Sequence, residues 1–145
     1  MKVVISACLL GVRCRYDGGD SRNETAIKQG ETYELIPVCP EESGGLPTPR
    51  PPAEIVGGDG GDVLDGRAKV MTADGTDVTE AYLKGAHHAL RVVQLNKATH
   101  VVLKARSPSC GCGDIYDGTF SGTLTPGDGV TTALLKRHGI TVTSL

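Results

Sequence analysis

The chain has 145 residues, of which 39% are hydrophobic and 22% charged, so it fits one folded domain of ordinary size and is too polar for a membrane protein. The formal net charge is −2, which excludes the basic surface that general nucleic-acid binding needs. Aromatic residues make up only 3%, so the core is expected to consist of Val, Leu, Ile and Ala.

The elements predicted along the chain alternate between strands and helices. In order, they are a buried strand at 2–7, a short helix at 24–30, a strand at 33–38, an edge strand at 68–72, a helix at 77–96, a buried strand at 99–105, a helix at 129–138 and a final strand at 140–144. Long loops rich in Gly and Pro separate them. This order predicts an α/β fold: a single three-layer domain over residues 1–145 with a mostly parallel sheet.

Two helix starts have recognisable sequence signals. Asp77 and Glu80 stand three residues apart, as in a capping box, and Asp128 is placed to cap the last helix. The last helix also ends on a basic turn followed by Gly139, a common way for a helix to stop.

The five cysteines need an explanation. The N-terminal apolar run is too short for a secretory signal, and no segment is long enough to span a membrane. A cytosolic location is therefore expected, where structural disulfides are uncommon. Cysteines in a reducing compartment are usually buried, catalytic or bound to metal.

Three cysteines follow directly on predicted strands. Cys8 comes after the strand at 2–7, Cys39 after the strand at 33–38, and Cys110 lies in the loop after the buried strand at 99–105. The carboxyl ends of parallel strands meet at one sheet edge, where α/β proteins bind their ligands. The topology therefore predicts that the three thiols converge, and soft thiolates select an iron–sulfur cluster or zinc.

The number of thiol ligands separates several hypotheses. A structural zinc site and an electron-transfer cluster usually take four protein ligands, whereas three would leave one metal position open to substrate. Cys112 is a candidate fourth ligand or redox partner of Cys110, and Cys14 is placed to approach Cys8. A zinc- or cluster-stabilised nucleotide-binding module and a thiol-redox protein therefore stand as alternatives to an enzyme, and metal content distinguishes them.

Polar residues near these cysteines are candidates for catalysis and for substrate binding. Glu41 follows Cys39 by two residues, where a carboxylate can act as general acid or base. Ser107 and Ser109 precede Cys110, and their hydroxyls can bind a ligand or the loop backbone. The remaining candidate anchors for the polar groups of a ligand are Arg15, Asp17, Arg50, Lys104 and Arg106.

At these motifs the sequence resembles a known family. The matching segments are Ser6-Ala7-Cys8-Leu9-Leu10-Gly11, Cys14-Arg15-Tyr16-Asp17-Gly18, Pro37-Val38-Cys39-Pro40-Glu41, Gly44-Gly45-Leu46-Pro47-Thr48-Pro49-Arg50, Lys104-Ala105-Arg106-Ser107-Pro108-Ser109-Cys110-Gly111 and Ile115-Tyr116-Asp117-Gly118-Thr119-Phe120-Ser121-Gly122. The family, long catalogued as a domain of unknown function, includes the thiouracil desulfidases. The match covers essentially the whole chain and is similar to the short, stand-alone type.

The resemblance implies a [4Fe-4S] cluster bound by Cys8, Cys39 and Cys110, with the fourth iron free for the sulfur of the substrate. It also implies assistance from Glu41 and Ser107. The expected reaction is non-redox desulfuration of a small thiolated pyrimidine, as base, nucleoside or nucleotide, with water attacking the carbon and sulfide leaving. An exposed cluster of this kind is expected to be lost in aerobic preparations.

Overall fold

A parallel sheet with helices on both faces organises the protein in the computed structural model, which describes residues 1–145. In chain order the elements are β1 (Lys2–Ser6), a 3-10 helix (Ala7–Leu10), α1 (Glu24–Lys28), a second 3-10 helix (Gln29–Glu31), β2 (Glu34–Val38), α2 (Pro40–Ser43), β3 (Ala53–Val56), α3 (Gly60–Leu64), β4 (Lys69–Thr72), α4 (Thr79–Asn96), β5 (His100–Leu103), β6 (Asp114–Tyr116), β7 (Leu124–Pro126), α5 (Val130–Arg137) and β8 (Val142–Ser144).

The main sheet has the order β2-β1-β5-β8, and all its strands are parallel. Val4 of β1 pairs with Ile36 on one side and with Val101 on the other, so β1 and β5 form the buried centre of the sheet. The α/β fold class is therefore confirmed. The strand expected at 68–72 exists as β4, but it pairs antiparallel with β3 in a separate ribbon and is not an edge of the main sheet.

The core follows the alternation of side chains along the central strands. Val4, Val101 and Leu103 face α4 and α5 within a cluster of 17 buried residues. Val3, Ile5 and Val102 face the opposite way and pack on Leu9 and Ala26, which lie in the first 3-10 helix and in α1. Because successive strand residues point to opposite faces, one short β-branched segment supports both helical layers.

Helix α4 carries its apolar face toward α2 as well as toward the sheet. Its buried residues recur at helical spacing and are Tyr82, Gly85, Ala86, Ala89, Leu90 and Val93. A Cβ on Gly85 would lie 1.9 Å from the carbonyl oxygen of Pro40, and one on Gly44 would lie 2.0 Å from that of Ala81. These two glycines let the backbones of α2 and α4 touch, which fixes the segment that follows Cys39.

Several local expectations were wrong. The carboxylate of Asp128 does not cap α5; it accepts hydrogen bonds from the Gly113 amide and the Lys136 ammonium, and Gly129 is the N-cap. Asp77 accepts from the amide of Thr79 instead of forming a capping box. The loops after Cys39 and Cys110 contain α2, β3, and the hairpin β6–β7. None of the helices combines the length and the apolarity needed to cross a membrane.

Candidate active site

A cavity of about 570 Å³ opens at the carboxyl ends of β1, β2 and β5. In the strand order, β2 lies on one side of β1 and β5 on the other, so the direction of the chain across the sheet reverses at β1. Open α/β sheets form their ligand crevices at such a reversal. The wall is formed by Ser6, Ala7, Cys8, Cys14, Arg15, Tyr16, Val38, Cys39, Pro40, Glu41, Pro52, Ala53, Glu54, Ala73, Lys104, Ala105, Arg106, Ser107, Pro108, Cys110, Tyr116, Phe120 and Gly122.

Strand pairing brings the predicted cysteines to this cavity. Ser6 at the end of β1 pairs with Val38 at the end of β2, so Cys8 and Cys39 leave the sheet side by side. The backbone N–H of Lys104, just after β5, donates to Ser6 Oγ at 2.9 Å and ties the third strand end to the first. The three thiols, at positions 8, 39 and 110 of the sequence, therefore share one wall.

Cys14 is a fourth thiol on the same wall, in a small cluster with Cys8 and Cys39. The Cys14 thiol lies within hydrogen-bonding reach of the Cys39 and Cys8 sulfurs, so its single proton can bond either one, and these contacts raise the pKa of Cys14. The same hydrogen bond from Cys14 lowers the pKa of Cys8 to about 7 and also lowers the pKa of Cys39. These shifts favour loss of the proton from Cys8 and Cys39 before Cys14, and Cys39 Sγ lies 3.8 Å from the Cys14 carbonyl oxygen.

The loop that carries Cys110 is attached to the start of α5. The amides of Val130 and Thr131 donate to the carbonyls of Pro108 and Ser109 at 2.8 and 2.9 Å, and the Thr132 hydroxyl donates to the Cys110 carbonyl at 2.9 Å. Burial, with the nearby charge of Glu41 adding to it, raises the pKa of Cys110 to about 12. A metal bound at this thiol would have to displace its proton.

Ser107 is oriented by the same loop. Its hydroxyl oxygen accepts hydrogen bonds from the backbone amides of Ser109 and Cys110 at 3.0 and 3.1 Å. These bonds occupy the lone pairs of the oxygen and leave its O–H as a donor. Because Ser107 lines the cavity, that donor is available to a bound ligand.

Glu41 is held at the cavity by two buried partners. Tyr82 of α4, which is 2% exposed, donates its hydroxyl to Glu41 Oε1. Arg50 Nη2 donates to Glu41 Oε2 at 3.2 Å and to the Cys14 carbonyl at 2.8 Å. Burial, together with the Glu41 charge, raises the pKa of Tyr82, so its phenol stays a donor. The carboxylate is therefore fixed in orientation while its residue still lines the cavity.

Three cations lie on the cavity wall, namely Arg15, Lys104 and Arg106. Arg15 donates to Ser21 Oγ at 2.8 Å, and its Nε lies 3.9 Å from an Asp17 oxygen. Partial burial, and then the charge of Arg15, lower the pKa of Lys104. The site thus presents positive charge beside the thiols although the whole chain carries −2.

The structure divides the predicted site residues into two groups. Those on the cavity wall are Cys8, Cys39, Cys110, Glu41, Ser107 and Arg15. Asp17, Arg50 and Ser109, the other residues predicted to contact substrate, do not line it. The Arg50 side chain is only 3% exposed, Ser109 bonds the Thr131 hydroxyl at 2.8 Å, and Asp17 accepts from the Gly19 amide at 2.9 Å. These three shape the loops around the site.

Cys112 also lies away from the cavity. Its thiol points to the carbonyl of Val142 at 3.9 Å and lies close enough to Lys136 to raise the pKa of that ammonium, after the larger effect of Asp128. A role for Cys112 as a fourth metal ligand or as a redox partner of Cys110 does not fit this placement.

Sequence reasoning missed two residues of the site. Tyr82 has no local signal, because an aromatic residue on the apolar face of a helix is normally a core residue. Phe120 stands in a Gly- and Ser-rich loop that matches the family, and this context was the available signal for a site residue.

The donor set fits an iron–sulfur cluster. Four cysteine sulfurs line one cavity, and soft thiolate ligands are those that such clusters take. No three Cys, His, Asp or Glu side chains surround a point closely enough to hold a single metal ion. The Arg50 guanidinium donates to the Cys14 carbonyl through Nη2. Its Nε is buried without a hydrogen-bond partner and can donate to one more acceptor.

The fold and the site together define the class of protein: an α/β protein with a thiol-lined cavity, suited to an iron–sulfur cluster, at the carboxyl edge of its sheet. The chain matches the 2-thiouracil desulfurase family over residues 3–145, and it therefore belongs to that family. This agrees with the resemblance that its motifs indicate.

Two relatives cover nearly the whole chain. YbbK of Bacillus subtilis (strain 168), an uncharacterized protein, is 49% identical over 142 residues, which are 98% of this chain and 94% of YbbK. The structure of TudS (DUF523Vcz), a [4Fe-4S]-dependent thiouracil desulfidase, superposes with a TM-score of 0.86 at 43% identity and covers 99% of this chain and 89% of TudS.

Proposed function

We propose that this protein is a [4Fe-4S]-dependent desulfidase that replaces the sulfur of a thiolated pyrimidine with oxygen from water and releases sulfide. The observation that carries the proposal is the meeting of Cys8, Cys39 and Cys110, from three strand ends, at one cavity beside Glu41. The similarity to a structure of a [4Fe-4S]-dependent thiouracil desulfidase supports it.

In this proposal Cys8, Cys39 and Cys110 hold the cluster. A cluster bound by three thiolates supplies a Lewis-acidic iron that can polarise a thiocarbonyl. Cys14 is placed outside the ligand set, because Cys8, Cys39 and Cys110 are the cysteines that follow the three strand ends. The Cys14 thiol, in contact with Cys8 and Cys39, then serves as a hydrogen-bond donor to a ligand sulfur, which is a common way to tune a cluster.

The side chains on the wall then have separate tasks. Glu41 accepts a proton from the attacking water, and its fixed orientation keeps an oxygen directed at that water. The Ser107 hydroxyl donates a hydrogen bond to the pyrimidine ring or to the attacking water, and this bond orients the group that accepts it. Arg15, Lys104 and Arg106 contact the polar groups of the ligand, whether it is a base, a nucleoside or a nucleotide.

The reaction balances without an external oxidant or reductant. One carbon–sulfur bond breaks and one carbon–oxygen bond forms, and water supplies the oxygen and two protons. The products are the oxo-pyrimidine and hydrogen sulfide. Thiolates that must stay reduced agree with the cytosolic location predicted from the sequence.

Anaerobic reconstitution tests the cofactor. We expect about four irons and four acid-labile sulfides per chain, and their loss in Cys8→Ala, Cys39→Ala and Cys110→Ala. Cys112→Ala is the matched control, because its thiol lies off the cavity, and it should keep both iron and activity. Zinc alone, or no metal after reconstitution, would overturn the proposal.

Turnover in labelled water tests the chemistry. The reconstituted protein is given 2-thiouracil and 4-thiouracil, as bases, nucleosides and nucleotides, in H₂¹⁸O. We expect loss of the thiocarbonyl absorbance, one equivalent of sulfide, and one ¹⁸O in the pyrimidine product. A loaded protein that binds these compounds without converting them would be a binding module, and a product without ¹⁸O would contradict the hydrolytic step.

A further inference from the structure

Phe120 occupies an unusual place for the single phenylalanine of this chain. It lies on the cavity wall and is 36% exposed, although the chain has no Trp and only four Tyr. A large aromatic ring contributes most when it is buried, and the core here is filled by aliphatic side chains and the one aromatic ring of Tyr82. The position of Phe120 therefore does not serve the packing of the core.

The backbone at Phe120 is also in a conformation that bulky residues avoid. Its φ is +57°, and the other non-glycine residues with positive φ are Lys97 and Arg106. Lys97 ends α4, where this conformation is common, whereas Arg106 and Phe120 both line the cavity. Backbone strain of this kind is concentrated at functional sites, where surrounding contacts hold it in place.

Glu54 of β3 holds the turn that carries Phe120. Its Oε1 accepts hydrogen bonds from the amides of Gly118 and Phe120 at 2.9 and 3.2 Å. Gly118 lies directly on β3, since a Cβ there would come within 2.5 Å of the Ile55 carbonyl oxygen. The hairpin β6–β7 is thus fastened to β3 next to the cavity, and the backbone that carries Phe120 is held in place.

We propose that Phe120 is the surface on which the pyrimidine ring of the substrate stacks, and that Glu54 is the positioning residue that sets this surface. The inference rests on the proposed function, because it takes a pyrimidine as the ligand. A flat heteroaromatic ring gains the most stacking energy when its partner is also a flat aromatic ring. Tyr16 also lines the cavity, but the guanidinium of Arg15 lies 5.8 Å from the centroid of its ring and occupies that neighbourhood.

The test compares two ligands that differ in aromaticity. Uracil and 5,6-dihydrouracil share the same carbonyl and N–H groups, but dihydrouracil is not flat and has no aromatic face. Their dissociation constants are measured by calorimetry on the cluster-loaded enzyme. We expect the wild type to bind uracil more tightly, and Phe120→Leu to weaken uracil binding by about ten-fold with little change for dihydrouracil. Phe120→Tyr should keep the preference for uracil.

Glu54 variants test the positioning role, and the measured quantity is again the ratio of the dissociation constants of uracil and dihydrouracil. Glu54→Ala should lose the preference for uracil, and Glu54→Gln should largely keep it, because an amide oxygen still accepts both hydrogen bonds. Leu124→Val, on the same hairpin but off the cavity wall, is the control for general disturbance of the hairpin. Iron content is measured in each variant, so that cluster loss is not mistaken for lost stacking.

The outcomes separate this inference from the proposed function. If the wild type desulfurates thiouracil but shows no preference for uracil, or if Phe120→Leu keeps that preference, the stacking role is wrong and the function stands. If neither ligand binds and thiouracil is not converted, the proposed function fails, and the inference fails with it.

Discussion

Glu41 is held in the site by Tyr82, a residue whose role the sequence alone does not reveal. Both its oxygens are engaged, one by the Tyr82 hydroxyl and the other by Arg50. A carboxylate held in this way loses little orientational freedom when a ligand binds, and such preorganisation is a large part of catalytic advantage. Tyr82 and Arg50 are therefore expected to act on the reaction through Glu41.

Tyr82→Phe tests this coupling. The substitution keeps the buried ring and removes only the hydroxyl, so the orientation of Glu41 weakens while the cavity keeps its shape. We expect kcat to fall by about ten-fold, as for loss of one hydrogen bond to a charged group, with KM and iron content unchanged. Tyr33→Phe, on the opposite face of the sheet, is the control. A raised KM with unchanged kcat would instead place Tyr82 in substrate binding.

Cys14→Ser tests whether Cys14 belongs to the cluster ligands. A serine hydroxyl can still donate a hydrogen bond to a neighbouring sulfur, but it is a poor ligand for iron. We expect the variant to keep about four irons per chain and to show an altered visible spectrum or reduction potential, because a hydroxyl polarises the ligand sulfurs differently. Loss of iron to the extent seen in Cys39→Ala would show that Cys14 is a ligand.

At the scale of elements, the contact between α2 and α4 connects the fold to the site. Gly85 lies against the Pro40 carbonyl, and Pro40 stands between Cys39 and Glu41. Any residue larger than glycine at position 85 would push α2 away from α4. The same displacement would carry Glu41 away from the hydroxyl of Tyr82.

Gly85→Ala is therefore expected to destabilise the protein, although Gly→Ala within a helix ordinarily stabilises by about 1 kcal/mol. Overpacking at this contact should lower the free energy of unfolding by about 1–3 kcal/mol and reduce kcat. Urea denaturation and steady-state kinetics measure the two effects. His88→Ala, at an exposed position of the same helix, should be neutral or slightly stabilising. A variant of Gly85 more stable than wild type would contradict the close contact.

The elements that sequence predicts well are those whose pattern is local. The β-branched segments at 2–7 and 99–105 gave β1 and β5 to within two residues at each end, and the helix at 77–96 was correct except for its start. The three short strands β3, β6 and β7 could not be predicted, since each depends on a partner distant in sequence or across a turn. Asp128 was misread because a tertiary partner, the Gly113 amide, takes the carboxylate that a cap would use.

At the scale of the whole molecule, topology gives the location of the site and little of its detail. The rule that parallel strands end at one edge was enough to place Cys8, Cys39 and Cys110 on a common cavity. It could not separate residues that face the cavity from those that hold loops, such as Arg50 and Ser109. That distinction depends on side-chain direction and burial, which composition and spacing do not encode.

The same architecture predicts how the protein responds to loss of a cluster. The sheet is stabilised by a mostly aliphatic core of 17 buried residues on one face and by a smaller cluster on the other, and Cys110 is the one proposed cluster ligand among them. The loops with Cys8 and Cys39 are already linked by Arg50, which donates to the Cys14 carbonyl and to Glu41, and the cluster would add direct links among the three cysteines. Cluster binding should therefore stabilise the folded state by linkage without being required for folding.

We expect protein treated with a chelator under anaerobic conditions to keep its far-ultraviolet circular dichroism and to unfold at a lower temperature than the loaded form. Hydrogen exchange should increase in the three cysteine loops, while β1 and β5 keep their protection, because these strands lie in the closed hydrogen-bonded centre of the sheet. Cys112→Ala should respond to the chelator as wild type does. A cluster-free protein with the spectrum of an unfolded chain would mean that the metal, and not the aliphatic core, directs folding, as in small zinc domains.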